Sequence, residues 1–350
     1  MPKRVNNIFD EKLKFDLMLK AFYRAAKGKR ENKEVILFEM NLADNIFHLL
    51  KDIYFEKYKP GIYRKFTIYE PKKREILALP FRDRVLHQWY VEEFIKPIFL
   101  PKFIVDTYAC IPERGLHKAL RKLSDYIKQK HHEKKNFYIL KCDIAKFFNN
   151  IDKRILLNIL KRKIKDKKFI KLTENILFDG TGQVKIPIGN YTSQFFANIY
   201  LNELDHFVKE KLRIKYYVRY MDDFILLLDS KEEAKEILNK ISQFLTQKLH
   251  LKLNQKTNYF RESQGVNFCG YKIFLNKIYL SKVNKKSIYK RVKIWNKLYE
   301  RGQLDMPKAY NSLISWVGHA KYTTNKIEED VICKCDWIYK ENIERRIGEL

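Results

Sequence analysis

Glycine and proline are scarce, 11 and 9 among 350 residues, and no Gly/Ser-rich linker, internal repeat or low-complexity tract interrupts the chain. Without such punctuation there is no flexible joint between independent modules, so one catalytic unit with interleaved lobes is the expectation. Long hydrophobic runs are missing too: no stretch of about 18 apolar residues occurs, and no segment reads as a membrane-spanning helix. The first ten residues are polar and charged and lack the apolar centre of a secretory signal, which predicts a soluble cytoplasmic protein with no membrane partner. Cysteine is sparse and odd in number: Cys110, Cys142, Cys269, Cys333 and Cys335. Most lie in apolar sequence, where Cys behaves as a small hydrophobe, so no disulfide is expected. Cys333 and Cys335 are separated by a single residue and have no second pair nearby, which argues against a zinc site.

Positive charge is abundant. Against 42 Asp+Glu stand 71 Lys+Arg, a net charge of +29 and a pI near 9.7. Such a field attracts polyanions and supports nucleic-acid binding through phosphate neutralisation and counterion release. Ribosomal-type binders and membrane-surface proteins share that property, so charge names a class of partner and not an activity. Hydrophobic residues at 45% and aromatics at 14% imply a packed core.

Residues 12–56 carry two helical patterns; in the second, Phe38, Leu42, Ile46, Leu49 and Ile53 recur every three or four positions. Over 63–79 the pattern turns β-rich around Glu70-Pro71-Lys72-Lys73-Arg74, a hairpin with a cationic tip. The run Phe137-Tyr138-Ile139-Leu140-Lys141-Cys142-Asp143 suits a buried strand that ends on an acid. Asp152 is placed to cap a helix with Ile155, Leu156, Ile159 and Ile164 inward. A second helix starts near Thr192 or Ser193 and buries Phe196, Ile199, Tyr200 and Phe207. Residues 216–228 read as strand, tight turn, strand. Ser230-Lys231-Glu232-Glu233 then has the Ser-x-x-Glu spacing of a capping box. Strands near 251–253 and 265–274 complete a strand-helix-strand-strand-helix-strand order, that of a ferredoxin-like sheet. After Ser281 comes an amphipathic basic helix: Ile288, Val292, Trp295 and Tyr299 share one face, with Lys286, Lys290, Arg291, Lys293 and Lys297 mostly off it.

Tyr220-Met221-Asp222-Asp223 lies at the predicted turn between two apolar strands, with Asp222 79 residues after the strand-terminal Asp143. Asp-Asp in a hairpin is ordinarily turn chemistry. Nucleotidyl transfer, however, needs two divalent cations about 3.5–4 Å apart, and Mg²⁺ takes hard oxygen ligands while keeping several waters. Asp143, Asp222 and Asp223 can supply those oxygens if their strands are neighbours in one sheet.

These motifs, in this order over roughly residues 60–325, resemble reverse transcriptases. The resemblance implies an α+β fold of the right-hand polymerase type, with a ferredoxin-like antiparallel palm, fingers and a helical thumb. The implied divisions are 1–118 for N-terminal helices and fingers, 119–150 for the first part of the palm, 151–188 for a fingers insertion, 189–275 for the rest of the palm and 276–350 for the thumb. It makes Asp143, Asp222 and Asp223 the catalytic carboxylates, holding two Mg²⁺ ions (or Mn²⁺) together with the Ile144 carbonyl. Phe148 matches the aromatic that closes off the sugar 2′ position and so implies deoxynucleotide selection. Lys73 and Arg74 resemble the fingers cations on the incoming triphosphate, where Arg gives a planar bidentate contact. Lys256 in Leu-Asn-Gln-Lys-Thr resembles the lysine that approaches the triphosphate, and Phe268-Cys269-Gly270-Tyr271 the primer grip. Arg82 and Arg84 fit template-primer contacts or structural Arg-Asp pairing equally well. The basic helix with Lys290, Lys293 and Lys297 matches a thumb on the duplex.

Within that family, Ile186-Pro187-Ile188-Gly189-Asn190-Tyr191-Thr192-Ser193-Gln194 discriminates most. Most members read Pro-Gln-Gly followed by Ser-Pro here; Ile188 in place of that Gln and Gln194 in place of that Pro resemble the reverse transcriptases of diversity-generating retroelements. An amide can hydrogen-bond the template-dNTP pair, whereas Ile offers only apolar contact, so looser selection against mispairs follows. Gly189 is expected to allow close backbone approach, and Thr192 or Ser193 to cap the following helix. Similar likeness lies in Tyr108-Ala109-Cys110-Ile111-Pro112-Glu113-Arg114-Gly115-Leu116-His117-Lys118-Ala119-Leu120, in Phe195-Phe196-Ala197-Asn198-Ile199-Tyr200-Leu201-Asn202 and in Ser315-Trp316-Val317-Gly318-His319. The chain departs at Glu113, where Gly is common, and at Met221, where Val is frequent. The likeness implies a prokaryotic or phage-encoded enzyme that copies a template RNA of its own element, error-prone at template adenines, for mutagenic retrohoming. Its implied partners are template RNA, RNA/DNA duplex, dNTPs and a small basic pentameric accessory protein. An anti-phage defence reverse transcriptase and an inactive RNA-binding scaffold are the alternatives; against the scaffold, three clustered acids repel one another unless metals bind.

Overall fold

A computed structural model of the chain describes residues 4–69, 74–178 and 186–338. Helices and antiparallel strands are mixed along the chain, which places it in the α+β class. It divides into two compact units: Met1–Gly115, Cys142–Phe224 and Lys235–Thr257 form one, and Leu116–Lys141, Ile225–Ala234 and Asn258–Leu350 the other. Among the described residues no helix is long and apolar enough to cross a membrane.

The expected hairpin is present as β1 (Arg64–Ile68) and β2 (Arg74–Ala78), antiparallel with Ile68 opposite Arg74. Lys73, expected on the triphosphate, lies with Glu70, Pro71 and Lys72 outside the described residues. The four-stranded sheet joins β3 (Tyr138–Asp143), β4 (Tyr217–Tyr220), β5 (Asp223–Leu228) and β6 (Asn258–Arg261) in the order β4-β5-β3-β6. With the Tyr191–His206 helix after β3 and the Lys231–Leu249 helix after β5, this is the ferredoxin-like order. The fourth strand is not where the sequence puts it. Leu253 makes only an isolated bridge to Ile144, and the chain loops before pairing as Asn258–Arg261. Residues 265–274 leave that sheet for one of their own, β7 (Val266–Phe268), β8 (Tyr271–Ile273) and β9 (Ile278–Leu280).

Two of the expected helix caps form. Asp152 accepts from the Arg154 and Ile155 amides at the start of the Lys153–Lys161 helix, and Ser230 Oγ accepts from the Glu233 amide. Ile164 falls beyond its predicted helix and is buried in a bridge to Val5. The second pattern of 12–56 becomes two helices, Lys33–Met40 and Leu42–Tyr54, because Asn41 between them leaves helical geometry. Thr192 and Ser193 do not cap; they lie inside the Tyr191–His206 helix, and Ser193 Oγ donates to the Pro187 carbonyl.

The first unit is held by aromatic packing: Phe22 stacks on Phe38, Phe38 meets Phe81 edge-on, and Tyr90 stacks on Phe169 at 5.2 Å. All five rings are buried, each contributing about 1.5–3 kcal/mol by burial. In the second unit the Lys282–Glu300 helix buries Ile288 and Val292, and Trp295 meets the buried Trp337 edge-on.

Candidate active site

Asp143 ends β3, and Met221 and Asp222 form the turn from β4 to Asp223, the first residue of β5. Met221 takes φ +59, a left-handed conformation that an unbranched side chain tolerates better than a β-branched one. Asp143 is gripped by the loop before β6. Asn254 donates from its backbone amide to the Asp143 carbonyl (2.7 Å) and from Nδ2 to Oδ2 (2.9 Å), while Thr257 Oγ1 accepts from the Asp143 amide (3.3 Å). Sequence reasoning missed both residues, because nothing local ties them to an acid 111 and 114 residues earlier.

The turn is fixed from beneath. Arg219 in β4 is completely buried and meets the equally buried Asp205 in a two-pronged pair, Nε to Oδ1 and Nη2 to Oδ2, each 2.7 Å. Its Nη1 donates to the Met221 carbonyl at 2.9 Å and to Asn198 Oδ1 at 3.2 Å. Tyr217 and Thr107 hydroxyls complete the Asp205 carboxylate at 2.7 and 2.8 Å. A charged residue inside the otherwise apolar run Tyr216-Tyr217-Val218-Arg219-Tyr220 was the available signal, since a buried strand cation demands an acid.

Burial pushes the Asp222 carboxyl above its usual range and Asp143 adds to the push, while Arg74 and Arg219 pull it back. Asp222 therefore feels the fields of both Asp143 and Arg74. Cys142 is buried, and burial together with Asp223 and Asp143 pushes its thiol well up. The donor set is hard oxygen, and a buried acid beside a second acid is relieved by a cation; these residues fit a hard divalent cation. Among the described residues no three of His, Cys, Asp or Glu enclose a cation on their own. Mg²⁺, which keeps several waters, does not require such a cage.

Ile188 is half-buried, and its carbonyl accepts from the Leu77 amide at 3.0 Å. Gly189 has φ +133, and a Cβ there would lie 2.7 Å from the Leu77 carbonyl oxygen. The close backbone approach expected of Gly189 is thus made to strand β2. Phe148 is half-buried beside Phe147, and Lys256 is exposed, its amide donating to Asn254 Oδ1. Arg82 is ion-paired with Asp52 and Arg84 with Glu34, whereas Asp83 accepts from the Tyr58 hydroxyl (2.8 Å) and the Gly61 amide (3.1 Å). Both arginines are thus held by acids other than Asp83.

In the second unit, Cys269 and Gly270 turn from β7 to β8 with φ of +49 and +88. The Gly270 carbonyl accepts from the Ser281 amide (2.9 Å), and the Tyr271 hydroxyl donates to the His319 carbonyl (2.7 Å), so this turn is tied to two helices. Lys290, Lys293 and Lys297 are exposed.

Residues 63–273, more than half the chain, match the family described as reverse transcriptase (RNA-dependent DNA polymerase). The group II intron-encoded protein LtrA of Lactococcus lactis is 26% identical over 283 residues, covering 58% of this chain and 45% of that protein. Protein YkfC of Escherichia coli K12 is 24% identical over 251 residues, covering 59% and 65%, and the Retron Ec73 reverse transcriptase of Escherichia coli is 33% identical over 124 residues, covering 31% and 38%. The chain thus spans two thirds or less of the length of these relatives. An apo telomerase structure from Candida tropicalis superposes with a TM-score of 0.49 at 14% identity, over 66% of this chain and 58% of that one. By the extent of the family match, the chain belongs to the reverse transcriptases.

Proposed function

We propose that the protein is an RNA-directed DNA polymerase that extends a primer on an RNA template with dNTPs. The observation that carries this reading is the sheet order: β3, which ends on Asp143, lies beside β5, which begins at Asp223 directly after the Met221–Asp222 turn. A divalent cation bound there would activate the primer hydroxyl and stabilise charge on the departing pyrophosphate. Asp143, Asp222 and Asp223, with the Ile144 carbonyl, are the residues to hold it. The chain's own contribution is position: Asn254 and Thr257 fix Asp143, and Arg219 fixes the turn. Arg74, with Lys73, takes the triphosphate, Lys256 approaches it, and Phe148 and Ile188 shape the nucleotide pocket. The turn at Phe268, Cys269, Gly270 and Tyr271 places the primer, while Lys290, Lys293 and Lys297 meet the template-primer; Arg82 and Arg84, paired with Asp52 and Glu34, take the structural role instead. Extension of a primed RNA template in Mg²⁺ tests the reading, with Asp143→Asn expected to be inactive and an active Asp143→Asn counting against it.

The finer reading is an enzyme of the diversity-generating type, copying its own element's RNA inaccurately at adenines and working with a small basic pentameric protein. Its support is Ile188 and Gln194 together with the Ser315-Trp316-Val317-Gly318-His319 segment. Ile188→Gln restores an amide beside the nascent pair and should lower misincorporation opposite template adenine. An unchanged error spectrum, read by sequencing the cDNA, would remove this finer reading. The likeness to LtrA and to the retron enzyme favours a group II intron-like or retron-like reading as the second, for which accurate copying of adenine is expected.

A further inference from the structure

The loop that leads into the Tyr191–His206 helix is anchored at three points. The Pro187 carbonyl accepts from Ser193 Oγ (2.7 Å), the Ile188 carbonyl accepts from the Leu77 amide (3.0 Å), and Asn190 Nδ2 donates to the Tyr63 hydroxyl (3.0 Å). The first anchor ties the loop to its own helix, and the other two tie it to the β1–β2 hairpin. Tyr63 stands just before β1, and Leu77 pairs with Lys65 across the hairpin, so both of these anchors lie at its open end. Between them Gly189 presses on β2: a Cβ there would meet the Leu77 oxygen at 2.7 Å and Ile76 Cγ2 at 3.1 Å.

The Asn190 bond runs against local preference. Asn190 is the N-cap of its helix, with extended φ −83 and ψ 141, and asparagine at that position ordinarily accepts a helix amide through its side-chain oxygen. Here the side chain makes no capping bond. Its amide reaches instead to a hydroxyl 127 residues away in sequence, and the residue is only 6% exposed. A donor so placed has little water to turn to if the hydroxyl is removed. A cap forgone for a distant bond secures the position of the loop, since it adds nothing to the helix end.

We infer that Tyr63 is a specificity-setting positioning residue: its hydroxyl, together with the Leu77 amide, fixes where Ile188 stands beside the nascent base pair. The inference rests on the polymerase reading and deepens it. An isoleucine has no polar group with which to test a base pair, so the discrimination it offers depends on where its apolar surface is held. Arg74, the residue assigned to the triphosphate, lies on β2 three residues before Leu77, about 10 Å along the strand. One hairpin thus carries the triphosphate contact at one end and the wall of the base-pair pocket at the other. With the Tyr63 hydroxyl gone, the wall can retreat and admit a mispair that the anchored loop rejects.

Single-nucleotide insertion opposite a defined template base, on a primed RNA in Mg²⁺, gives kcat/KM for the matching dNTP and for each mismatched one. Tyr63→Phe, which removes one oxygen and keeps the ring, should raise mismatched kcat/KM about fivefold, the factor for one hydrogen bond, and leave the matching value within about twofold. Asn190→Ala should do the same, and Tyr63→Phe-Asn190→Ala no more than either single, because both remove one bond. Loss of folded protein would lower matched and mismatched insertion together and leave their ratio unchanged, so a gain of mismatched insertion is not a folding effect. Thermal melting of the three variants checks this independently. An unchanged ratio in both single variants, a parallel loss of both insertions, or a double variant whose effect is the product of the singles would overturn the inference while the polymerase reading stands. No extension by the unmutated chain would overturn the polymerase reading and this inference with it.

Discussion

Arg219 is the residue whose removal should be felt most. It is 0% exposed, its guanidinium makes two 2.7 Å bonds to a carboxylate that is itself 0% exposed, and it tethers the Met221 carbonyl in the turn that carries Asp222. Arg219→Met leaves Asp205 as a buried anion with only the Tyr217 and Thr107 hydroxyls to satisfy it. Breaking one side of a buried pair costs about 3–5 kcal/mol, against a typical total stability of about 5–15 kcal/mol. Asp205→Asn should cost less than Arg219→Met, because an amide can still accept from Arg219 and the hydroxyls. The double variant should lose less than the sum of the singles, with a coupling of at least about 2 kcal/mol. Urea denaturation of the four proteins, followed by far-UV circular dichroism, measures all three quantities. In the folded fraction, single-turnover extension should show kcat reduced while KM for dNTP is nearly unchanged, since the tether aligns the acids and does not touch the nucleotide. A cost below about 1 kcal/mol, or additive singles, would refute the reasoning.

Gly189→Ala should destabilise by about 1–3 kcal/mol, because alanine must adopt φ +133 with its Cβ 2.7 Å from the Leu77 oxygen; thermal melting and dNTP KM read the effect, and an unchanged melt would contradict it. His206 supplies a pH dependence. Burial acts to lower its pKa, but hydrogen bonds to Glu210 and to the Lys102 carbonyl outweigh it and raise the value above 6.5. A raised histidine stabilises the fold fully below its unfolded value and loses that contribution as pH climbs through the folded one. The unfolding free energy should therefore fall, by no more than about 1 kcal/mol for this partly exposed pair, as pH rises from 6.5 through the raised folded value, and His206→Gln should flatten that part of the profile.

The strand that ends in Asp143, the turn at Met221 and Asp222, the Asp152 cap and the Ser230 cap were all legible, because each is a local pattern of a few residues. The ferredoxin-like order was legible for the same reason, yet its last strand was placed about seven residues early. Leu251 and Leu253 alternate like a strand, but the chain instead spends 254–257 wrapping Asp143. What stayed hidden is long-range. Asn254 lies 111 residues from the acid it holds, and Arg82 and Arg84 look alike in sequence to cations free for nucleic acid, although Asp52 and Glu34 occupy them. Gly189 was read for close approach, but nothing local says that the partner is strand β2.

In the proposed function, Asp143, Asp222 and Asp223 make this chain a metal-dependent polymerase. Primer extension on an RNA template with dNTPs and Mg²⁺, comparing the unmutated chain with Asp222→Ala-Asp223→Ala at matched template binding, tests it most directly. cDNA is expected from the former, none from the latter and none from either after chelation; equal extension by both proteins would contradict the assignment.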